Sequence, residues 1–520
     1  MALARYIASL CVGLWALVGS SLAQDVTLSS RDGGIEVSGT LIGFDGEFYR
    51  IRSEYGDLTL DGTGVICDGP GCPDLSAYVA RVGFSGSDLM GQRLMPLLLD
   101  AFSKDAGYDL LTKPDDGAML FVFSEPNSGD VVAEFRITSV TNSEGFAHLV
   151  AGTADIAMST RAALPNETAL VVEAGLGNLE SPQQSKVIAL DAIVPIVSGR
   201  NPLRQISIEQ LSALFRGDVA HWSDLNGVDA PVYAHIHRGD VAAYLNFLEA
   251  VLLPGGHTYG PNTIFHDEMS GVLSAVAADP FAVGLARNSD NGGGRVLDLV
   301  GECGFASDAT AEALKAEDYP LAAPMFLYWR GARLPRIARE MLQFLETPAA
   351  QIAVVRAGFV DQGITRTDLK RQGDRLVNGI RQAQGAEGMQ RLQDLVDDIS
   401  DRSRLSLSFR FMPGTRGLDP QSRSNVRLLA NALESGTLGV SDVMFVGFAS
   451  PDGETGSEGV LALSEQRAKE VERRVLNAAA TIDRRSLRVG AKGYGSIMPL
   501  TCNTELWGQH LNNRVEVWVR

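Results

Sequence analysis

Two residues near the C-terminal end of this 520-residue chain have side chains suited to a charged ligand. Asp452 lies in a Gly-rich acidic loop, and Arg467 follows it near the start of a helix whose predicted N-cap is Ser464. The planar guanidinium of an arginine binds a carboxylate, and an aspartate binds an ammonium group. The pair therefore predicts a site for a ligand end that carries both groups. The alternative is an exposed ion pair, which contributes little to stability.

A second set of residues lies in loops that follow predicted strands in the middle of the chain. The candidate anion ligands of these loops are Ser87, Asp88, Leu89, Ser143, Ser159, Arg161 and Arg238. The first loop precedes a predicted helix, where free backbone N–H groups and the helix dipole favour an anion. Hydroxyl groups and two arginines in the other loops extend the set of donors. Together these residues predict an anion-binding cleft.

Other signals for chemistry in the sequence are weaker. His235 and His237 lie two apart in a predicted strand and therefore on one face, as a metal pair requires. No third ligand stands at a suitable spacing, so ordinary strand histidines are the favoured interpretation. The chain has no phosphate-binding P-loop, nucleophile elbow or HExxH motif. We therefore expect a binding protein rather than an enzyme, with no cofactor and no metal.

The net charge and the first residues of the sequence limit the class of protein that this chain can be. The net charge is −18, and no basic run is long enough to follow a phosphate backbone, which excludes nucleic acid as a partner. Residues 1–23 combine a basic start at Arg5, an apolar run and a small-residue site at Ser21 and Ala23. This pattern predicts a cleaved secretory signal peptide. We therefore expect an exported, soluble mature protein.

The cysteines are compatible with an oxidising compartment. Cys67 and Cys72 enclose the turn-forming sequence DGPG, and export permits a disulfide between them, although two separate thiols remain the alternative. Cys303 and Cys502 lie far apart in the sequence and are either free or paired across domains.

The elements that would position these residues predict a multidomain α/β protein. Residues 24–76 alternate in short runs broken by glycines, which predicts a small β module. Strands alternate with helices over residues 77–364, which predicts an α/β domain with a largely parallel sheet. Residues 365–404 predict a helical linker with a solvated face. The order βαβαββ over residues 405–520 predicts a compact sandwich whose last strand, with Val515, Val517 and Val519 on one side, is half-buried.

Residues 405–520 resemble the peptidoglycan-binding domain of the OmpA family. The resemblance rests on the loop GFASPD, on the helix start LSEQRA, and on the terminal NNRVE. It implies recognition of the diaminopimelate of the peptidoglycan stem peptide by Asp452 and Arg467, with Asn512 and Arg514 bracing the site. The sequence departs from the family by a two-residue insertion before Asp452, by Val460 in place of an Asn, and by Asn513 in place of an Arg.

Residues 77–364 resemble the phosphate-type periplasmic substrate-binding proteins of ABC importers. The resemblance rests chiefly on LFRGDVAHWSDLNG and KAEDYPL, and it implies two lobes that close on a ligand and an ABC permease as partner. The ligand loops depart from the family. Val241, Ala242 and Ala243 stand in place of Ser-Gly-Thr, Thr160 stands where the family has a proton-accepting carboxylate, and Asp88 adds a negative charge to the first loop. A buried carboxylate beside an anion is costly.

Two functions are consistent with these features. The first is a periplasmic binding protein, associated with the cell wall or outer membrane, that holds peptidoglycan and binds a small anion such as phosphate for an ABC importer. The second is a structural envelope protein whose central cleft handles no transported solute. The retained donors in the central loops favour the first function.

Overall fold

The computed structural model describes residues 25–75, 78–239, 242–301, 306–412, 414–451, 456–482, 485, 487–503 and 506–520. The predicted signal peptide, Asp452 and Cys303 lie outside the described residues. The chain divides into two compact units. The first runs to Ala80 and includes Leu334–Ile337, and the second comprises Arg81–Arg333 and Ala338–Arg520.

The first unit contains a small antiparallel sheet. Its strands are β1 (Asp25–Ser30), β2 (Glu36–Phe44), β3 (Phe48–Ser53), β4 (Gly56–Asp61) and β5 (Val65–Asp68). They are arranged in the order β4-β3-β2-β1-β5 around a core of Val26, Leu28, Tyr49 and Ile51. A disulfide joins Cys67 to Cys72, as the sequence predicts.

The second unit begins with a large sheet and its helices. The central strands are β6 (Ala80–Ser87), β7 (Asp109–Asp115), β8 (Ala118–Ser124), β9 (Val131–Val140), β10 (Ile156–Ser159), β11 (Ser185–Val197), β12 (Gln205–Ser207), β13 (Tyr233–His237), β14 (Thr263–His266), β15 (Ala282–Arg287), β16 (Arg295–Val296), β17 (Asp298–Val300), β18 (Ala306–Ser307) and β19 (Ala322–Trp329). The helices are α1 (Met95–Ala106), α2 (Asn142–Ala151), α3 (Pro165–Glu173), α4 (Ile208–Arg216), α5 (Ala242–Phe247), α6 (Met269–Ala278), α7 (Ala311–Lys315), α8 (Arg336–Phe344) and α9 (Pro348–Arg356). A π-helical turn, Met90–Leu94, precedes α1.

The large sheet is mixed, which corrects the expectation of a largely parallel sheet. Its order is β14-β13-β15-β11-β19-β10-β6-β9-β8-β7, with β16 beside β11. Strands β12, β17 and β18 form a separate three-stranded sheet in that order. Strand β13 is parallel to β14 and β15, and β6 is parallel to β10. The hairpins β7-β8-β9 and the long strands β11 and β19 pair antiparallel. Alternation of strands and helices therefore predicted the class of fold but not the direction of these strands.

Local sequence explains where the helices of this sheet begin. Thr141 caps α2, and Glu144 completes a capping box. Ser207 and Gln210 do the same for α4. Gly86, at the end of β6, has a φ of 130°, and a Cβ there would lie 2.1 Å from the Met158 carbonyl oxygen. Only glycine permits this approach of β6 to β10.

The rest of the second unit forms a five-stranded sheet covered by helices on both faces. Its elements are β20 (Arg366–Asp368), α10 (Gly373–Gln382), α11 (Gly385–Ile399), β21 (Ser403–Arg410), α12 (Pro420–Glu434), β22 (Asp442–Gly447), α13 (Ser457–Ala478), β23 (Arg488–Gly493), α14 (Leu506–Asn512) and β24 (Arg514–Val519). The strand order is β20-β21-β24-β22-β23, with β22 and β23 parallel.

Strand β24 is buried on both faces, so the expectation of a half-buried strand is wrong. Val515, Val517 and Val519 pack in one cluster with residues of α12 and α13. Trp518, on the other face, packs with residues of α11. The predicted linker explains the difference, because its helices cover the second face of this sheet.

Buried hydrogen bonds from two arginines connect this sheet to the segment before β19. Arg404 donates to both carboxylate oxygens of Asp318, and the longer of these bonds measures 3.0 Å. Arg410 donates to Glu317 Oε2 at 3.1 Å. All four residues are buried. The sheet of residues 366–520 and the central sheet therefore share one compact unit.

Two further observations concern the whole described chain. Cys502 is disulfide-bonded. Among the helices of the described residues, none has the length and apolar character that a bilayer span requires.

Candidate ligand-binding sites

A cavity of about 340 Å³ lies where several strands of the large sheet end. Its lining comes from the carboxyl ends of β6, β9, β10, β13 and β15 and the residues that follow them. The lining residues are Ser87, Asp88, Val140, Thr141, Asn142, Glu144, Thr160, His237, Arg238, Gly239 and Arg287. Ligands of open α/β sheets bind outside the carboxyl ends of strands. The volume of this cavity suits a small molecule or ion.

The first loop brings Ser87 and Asp88 to the cavity, but two of its backbone N–H groups already donate to side chains of the same loop. The Leu89 N–H donates to Asp88 Oδ1 at 2.7 Å, and the Met90 N–H donates to Ser87 Oγ at 3.4 Å. Asp88 itself is exposed. Its carboxylate therefore accepts the Leu89 N–H that the sequence analysis assigned to an anion.

Asn142 and Thr160 connect the second and third loops at the cavity wall. The Thr160 N–H donates to Asn142 Oδ1 at 3.0 Å, and Asn142 Nδ2 donates to Thr160 Oγ1 at 3.4 Å. Both residues are buried. Thr160 therefore lines the cavity with a neutral group.

Two strand ends supply the positive charge of the cavity. Arg238 follows β13, and its guanidinium lies over the Phe265 ring at 4.5 Å from the centroid. Arg287 ends β15. Burial lowers the pKa of Arg287, while the carboxylates of Asp191 and Asp88 raise it. The two guanidiniums can bind an anion, whereas the carboxylates of Asp88 and Glu144 in the same lining oppose its negative charge.

His237 ends β13 on the same wall. Its Nε2 lies 3.0 Å from the Asp267 carbonyl oxygen. Its Nδ1 is buried, without a hydrogen-bond partner in the part of the chain that the structure describes. Burial and then the charge of Arg287 lower the pKa of His237, which the Asp267 carbonyl, Asp88 and Asp267 raise in part.

Four predicted anion ligands are absent from the lining of the cavity, Leu89 among them. Arg161 and Glu167 form a buried bidentate ion pair with both bonds at 2.8 Å, and Arg161 also donates to Ser143 Oγ at 3.0 Å. Ser159 is buried, and its Oγ donates to the Arg161 carbonyl at 2.8 Å. The structure thus places Ser143, Ser159 and Arg161 in a hydrogen-bonded cluster behind the loops rather than in the lining of the cavity.

The sequence does not single out Asn142 or Arg287, and it indicates His237 only as a candidate metal ligand. A signal for them exists, because each lies at or just after the carboxyl end of a strand. Val241 lies outside the described residues, and Ala242 begins α5. Within the described ranges, no group of three or more His, Cys, Asp or Glu residues could hold a metal ion.

A second cavity, of about 720 Å³, lies beside α13. Its lining residues are Phe411, Thr415, Arg416, Ala462, Leu463, Glu465, Gln466, Arg467, Lys469, Glu470 and Arg473. Arg467 is partly buried, with its guanidinium 5.2 Å from the Phe411 ring centroid. Burial lowers the pKa of Arg467. Lys469 and Arg473 pair with Glu465 and Glu470 of the same lining. The guanidinium of Arg467 is the group of this cavity suited to a ligand carboxylate.

Ser464 does not cap the helix that carries Arg467, contrary to the prediction. Helix α13 begins at Ser457 after Gly456, so Ser464 lies two turns inside it. The Ser464 hydroxyl donates to the Leu461 carbonyl at 2.7 Å and accepts the Gly495 N–H at 2.9 Å. A serine inside a helix can bond to a carbonyl of the preceding turn, and the sequence alone does not distinguish such a serine from an N-cap. This explains the wrong prediction.

Asn512 and Arg514 are both buried among other residues. The side chain of Asn512 holds the chain at residues 500–503, with its Oδ1 accepting the Leu500 N–H at 2.6 Å. Arg514 donates to Glu516 Oε1 at 2.8 Å and to the Met498 carbonyl at 3.0 Å. Burial opposes the charge of Glu516, but Arg375, Arg404 and Arg514 outweigh it and hold its pKa well below its usual range.

Asn513 is the residue of the terminal motif that contacts Arg467. Its Oδ1 accepts from Arg467 Nη1 at 2.6 Å and from the Ser450 N–H at 2.9 Å. In the sequence, Asn513 stands out only as a departure from the OmpA-family pattern. Asn513 precedes β24, and its side chain contacts both Ser450, which follows β22, and Arg467 on α13. It therefore holds one nitrogen of the Arg467 guanidinium in place.

The central part of the chain has a family match. Residues 125–346 match the model of the PBP superfamily domain. No curated protein matches the sequence.

Solved structures resemble about half of the chain. A putative phosphate ABC transporter substrate-binding protein from Clostridium perfringens, with bound phosphate, is 20% identical with a TM-score of 0.41. An ABC-type phosphate transport receptor from Vibrio cholerae is 17% identical with a TM-score of 0.40. Each match covers 54% of this chain and 99% of the other.

Proposed function

We propose that this protein is an exported binding protein whose central cavity binds a small anion such as phosphate. The observation that carries the proposal is the convergence of Arg238 and Arg287 on one cavity at the ends of β13 and β15. Neutral donors line the same cavity at Ser87 and Thr160. Delivery of the anion to an ABC permease in the periplasm is part of the proposal, in keeping with the PBP superfamily match.

Thermal unfolding with added anions tests this function, because a ligand that binds only the folded state raises the melting temperature. We expect phosphate at millimolar concentration to stabilise the protein and Arg287→Met to remove the effect. Arg204→Met is the control, because Arg204 donates to nearby carbonyl groups and does not line the cavity. Equal stabilisation of all three proteins would contradict a site at Arg287.

A second function is supported by the cavity beside α13. We infer that this cavity binds the diaminopimelate end of a peptidoglycan stem peptide, with Arg467 on the carboxylate of the ligand and Asp452 on its ammonium group. The observation that favours it is the position of Arg467 against Phe411 in a cavity of about 720 Å³. Such binding would hold the protein at the cell wall or outer membrane.

Sedimentation of the full-length mature protein with purified diaminopimelate-type peptidoglycan tests the second function. The full chain is needed because Arg404 and Arg410, within the C-terminal sheet, pair with Asp318 and Glu317. Arg467→Ala should remove most of the binding. Arg474→Ala, on the same helix but not lining the cavity, should sediment like the wild type. Sedimentation of Arg467→Ala to the same extent as Arg474→Ala and the wild type would exclude Arg467 as a ligand.

A further inference from the structure

Strand β11 connects two halves of the large sheet. Its residues 185–192 pair with β19, which pairs in turn with β10. Its residues 193–197 pair instead with β15, which leads to β13 and β14. We call the strands from β7 to β19 in the sheet order the first half, and the strands from β15 to β14 the second half. The central cavity takes lining residues from both halves.

The C-terminal sheet is bonded to the second half. Strand β21 donates hydrogen bonds to the buried side chains of Glu317 and Asp318. The Asp318 carbonyl also accepts the Ser307 hydroxyl at 3.1 Å, which ties this segment to β18 and thus to the small sheet β12-β17-β18. The small sheet belongs with the second half, because β17 directly follows β16, and β16 pairs with residues 196 and 197 of β11.

Helix α12, which packs beside β21, is bonded to the first half. Arg427 Nη1 donates to the Pro182 carbonyl at 2.9 Å, just before β11 begins. One turn further along, Asn431 Nδ2 donates to Glu346 Oε2 at 2.8 Å. Glu346 follows α8 and pairs with Lys186 at the start of β11. These contacts lie on the part of β11 that pairs with β19.

Consecutive side chains of α12 reach both halves. Asn425 is buried, and its Nδ2 donates to Glu317 Oε1 at 3.1 Å and to the Ser408 carbonyl of β21 at 2.9 Å. Ser424 Oγ accepts the Val187 N–H of β11 at 3.4 Å. The helix and β21 are therefore joined to each other, to the second half and to the first half.

We propose that β21 and α12 form a brace that holds the two halves of the large sheet in one fixed arrangement, so that the central cavity keeps its width whether or not a ligand is bound. A rotation of one half against the other would break hydrogen bonds at one side of the brace, and those to Glu317 and Asp318 are buried. The brace opposes the closure of two lobes that the sequence resemblance implies. The inference goes beyond the proposed function, because it holds for any ligand of the cavity.

Arg93 provides a competing connection between the halves. It lies in the π-helical turn after β6, and its Nη2 donates to the Ser289 carbonyl, which follows β15, at 3.0 Å. Ser289 in turn donates to Asp191 at the point where β11 passes from one half to the other. A bond beside this crossing point has a short lever arm, so it restrains a rotation less than the contacts of α12 do.

Distances between two spin labels test the brace. Asp105→Cys on α1 and Ala277→Cys on α6 place one exposed label on each half, and the full-length mature protein without these cysteines gives the labelling background. We expect the braced protein to show one narrow distance that millimolar phosphate does not change. Adding Ser424→Ala, Arg427→Ala and Asn431→Ala together should produce a second population at a different distance.

Glu434→Ala is the matched control. Glu434 lies on α12 but accepts hydrogen bonds from Thr481, within the C-terminal part of the chain, so this variant should keep the single distance. The three substituted side chains of the test variant are exposed or half-buried, and a cooperative thermal transition checks that it folds.

Three results would overturn the brace. The first is a second population in the braced protein, and the second is a shift of its distance on addition of phosphate. The third is a single, unchanged distance in the triple variant. If Arg93→Met then produced a second population, Arg93 and not α12 would hold the halves together.

Discussion

We expect Asp88 to limit the anion affinity of the proposed central site in two ways. It places a negative charge on the lining, and its Oδ1 accepts the Leu89 N–H at 2.7 Å. Asp88→Ala would remove the charge and release this N–H for an anion. A hydrogen bond to a charged group contributes about 1.5 to 3 kcal/mol, so we expect phosphate affinity to rise at least about tenfold.

Calorimetry of Asp88→Ala beside the wild type checks this prediction. Asp105→Ala is the control, because Asp105 is exposed on α1 and does not line the cavity. Weaker phosphate binding by Asp88→Ala would show that the Asp88 carboxylate contributes to the site.

At the residue scale, sequence analysis located loops better than it located ligands. Asp88 and Arg238 reach the cavity as members of predicted loops. Arg161 lies in such a loop too, but Glu167, at the start of α3, pairs with it and holds it behind the lining. Sequence spacing gives the position of a residue along the chain, whereas the partner that captures its side chain depends on tertiary packing.

The buried segment that joins the two sheets predicts a pH dependence of stability. Burial, followed by the charge of Asp419, raises the pKa of Glu317 from its ordinary 4.5 to about 8. The folded state then retains a proton that the unfolded state releases between these two pH values. Stability from this group is present below about pH 4.5 and is lost as the pH rises to about 8.

Comparison with Glu317→Gln isolates this effect from other titrating groups. Chemical denaturation from pH 5 to pH 8 should show the wild type losing stability relative to the variant by up to about 1.4 kcal/mol for each pH unit. A stability difference that stays constant over this range would mean that the Glu317 pKa is not raised in the folded protein.

At the element scale, periodicity predicted most helices and strands of the C-terminal sheet but not their surroundings. Leu392, Leu395 and Ile399 have the helical spacing that predicted α11, and all three are buried against this sheet. The charged residues between them suggested a solvated linker. One apolar stripe is sufficient to bury a helix, and sequence alone does not show which surface it covers.

The remaining disulfide belongs to the scale of the whole molecule. Cys502 is disulfide-bonded, and a Cβ on Gly301 would lie 2.7 Å from Thr501 Oγ1. Gly301, two residues before Cys303, therefore lies next to Thr501, the residue before Cys502. We expect peptide mapping without reduction to recover a Cys303–Cys502 peptide, which would link the central and C-terminal parts of the chain covalently. Recovery of Cys303 as a free thiol would contradict this pairing.

The most direct test of the central claim is calorimetry of the unaltered full-length protein with phosphate and a panel of other small anions. The convergence of Arg238 and Arg287 predicts that an anion binds with one-to-one stoichiometry. The Asp88 carboxylate and the occupied Leu89 N–H predict that phosphate affinity is no tighter than high micromolar. Absence of binding by every anion at millimolar concentration would contradict the claim that the cavity is an anion site.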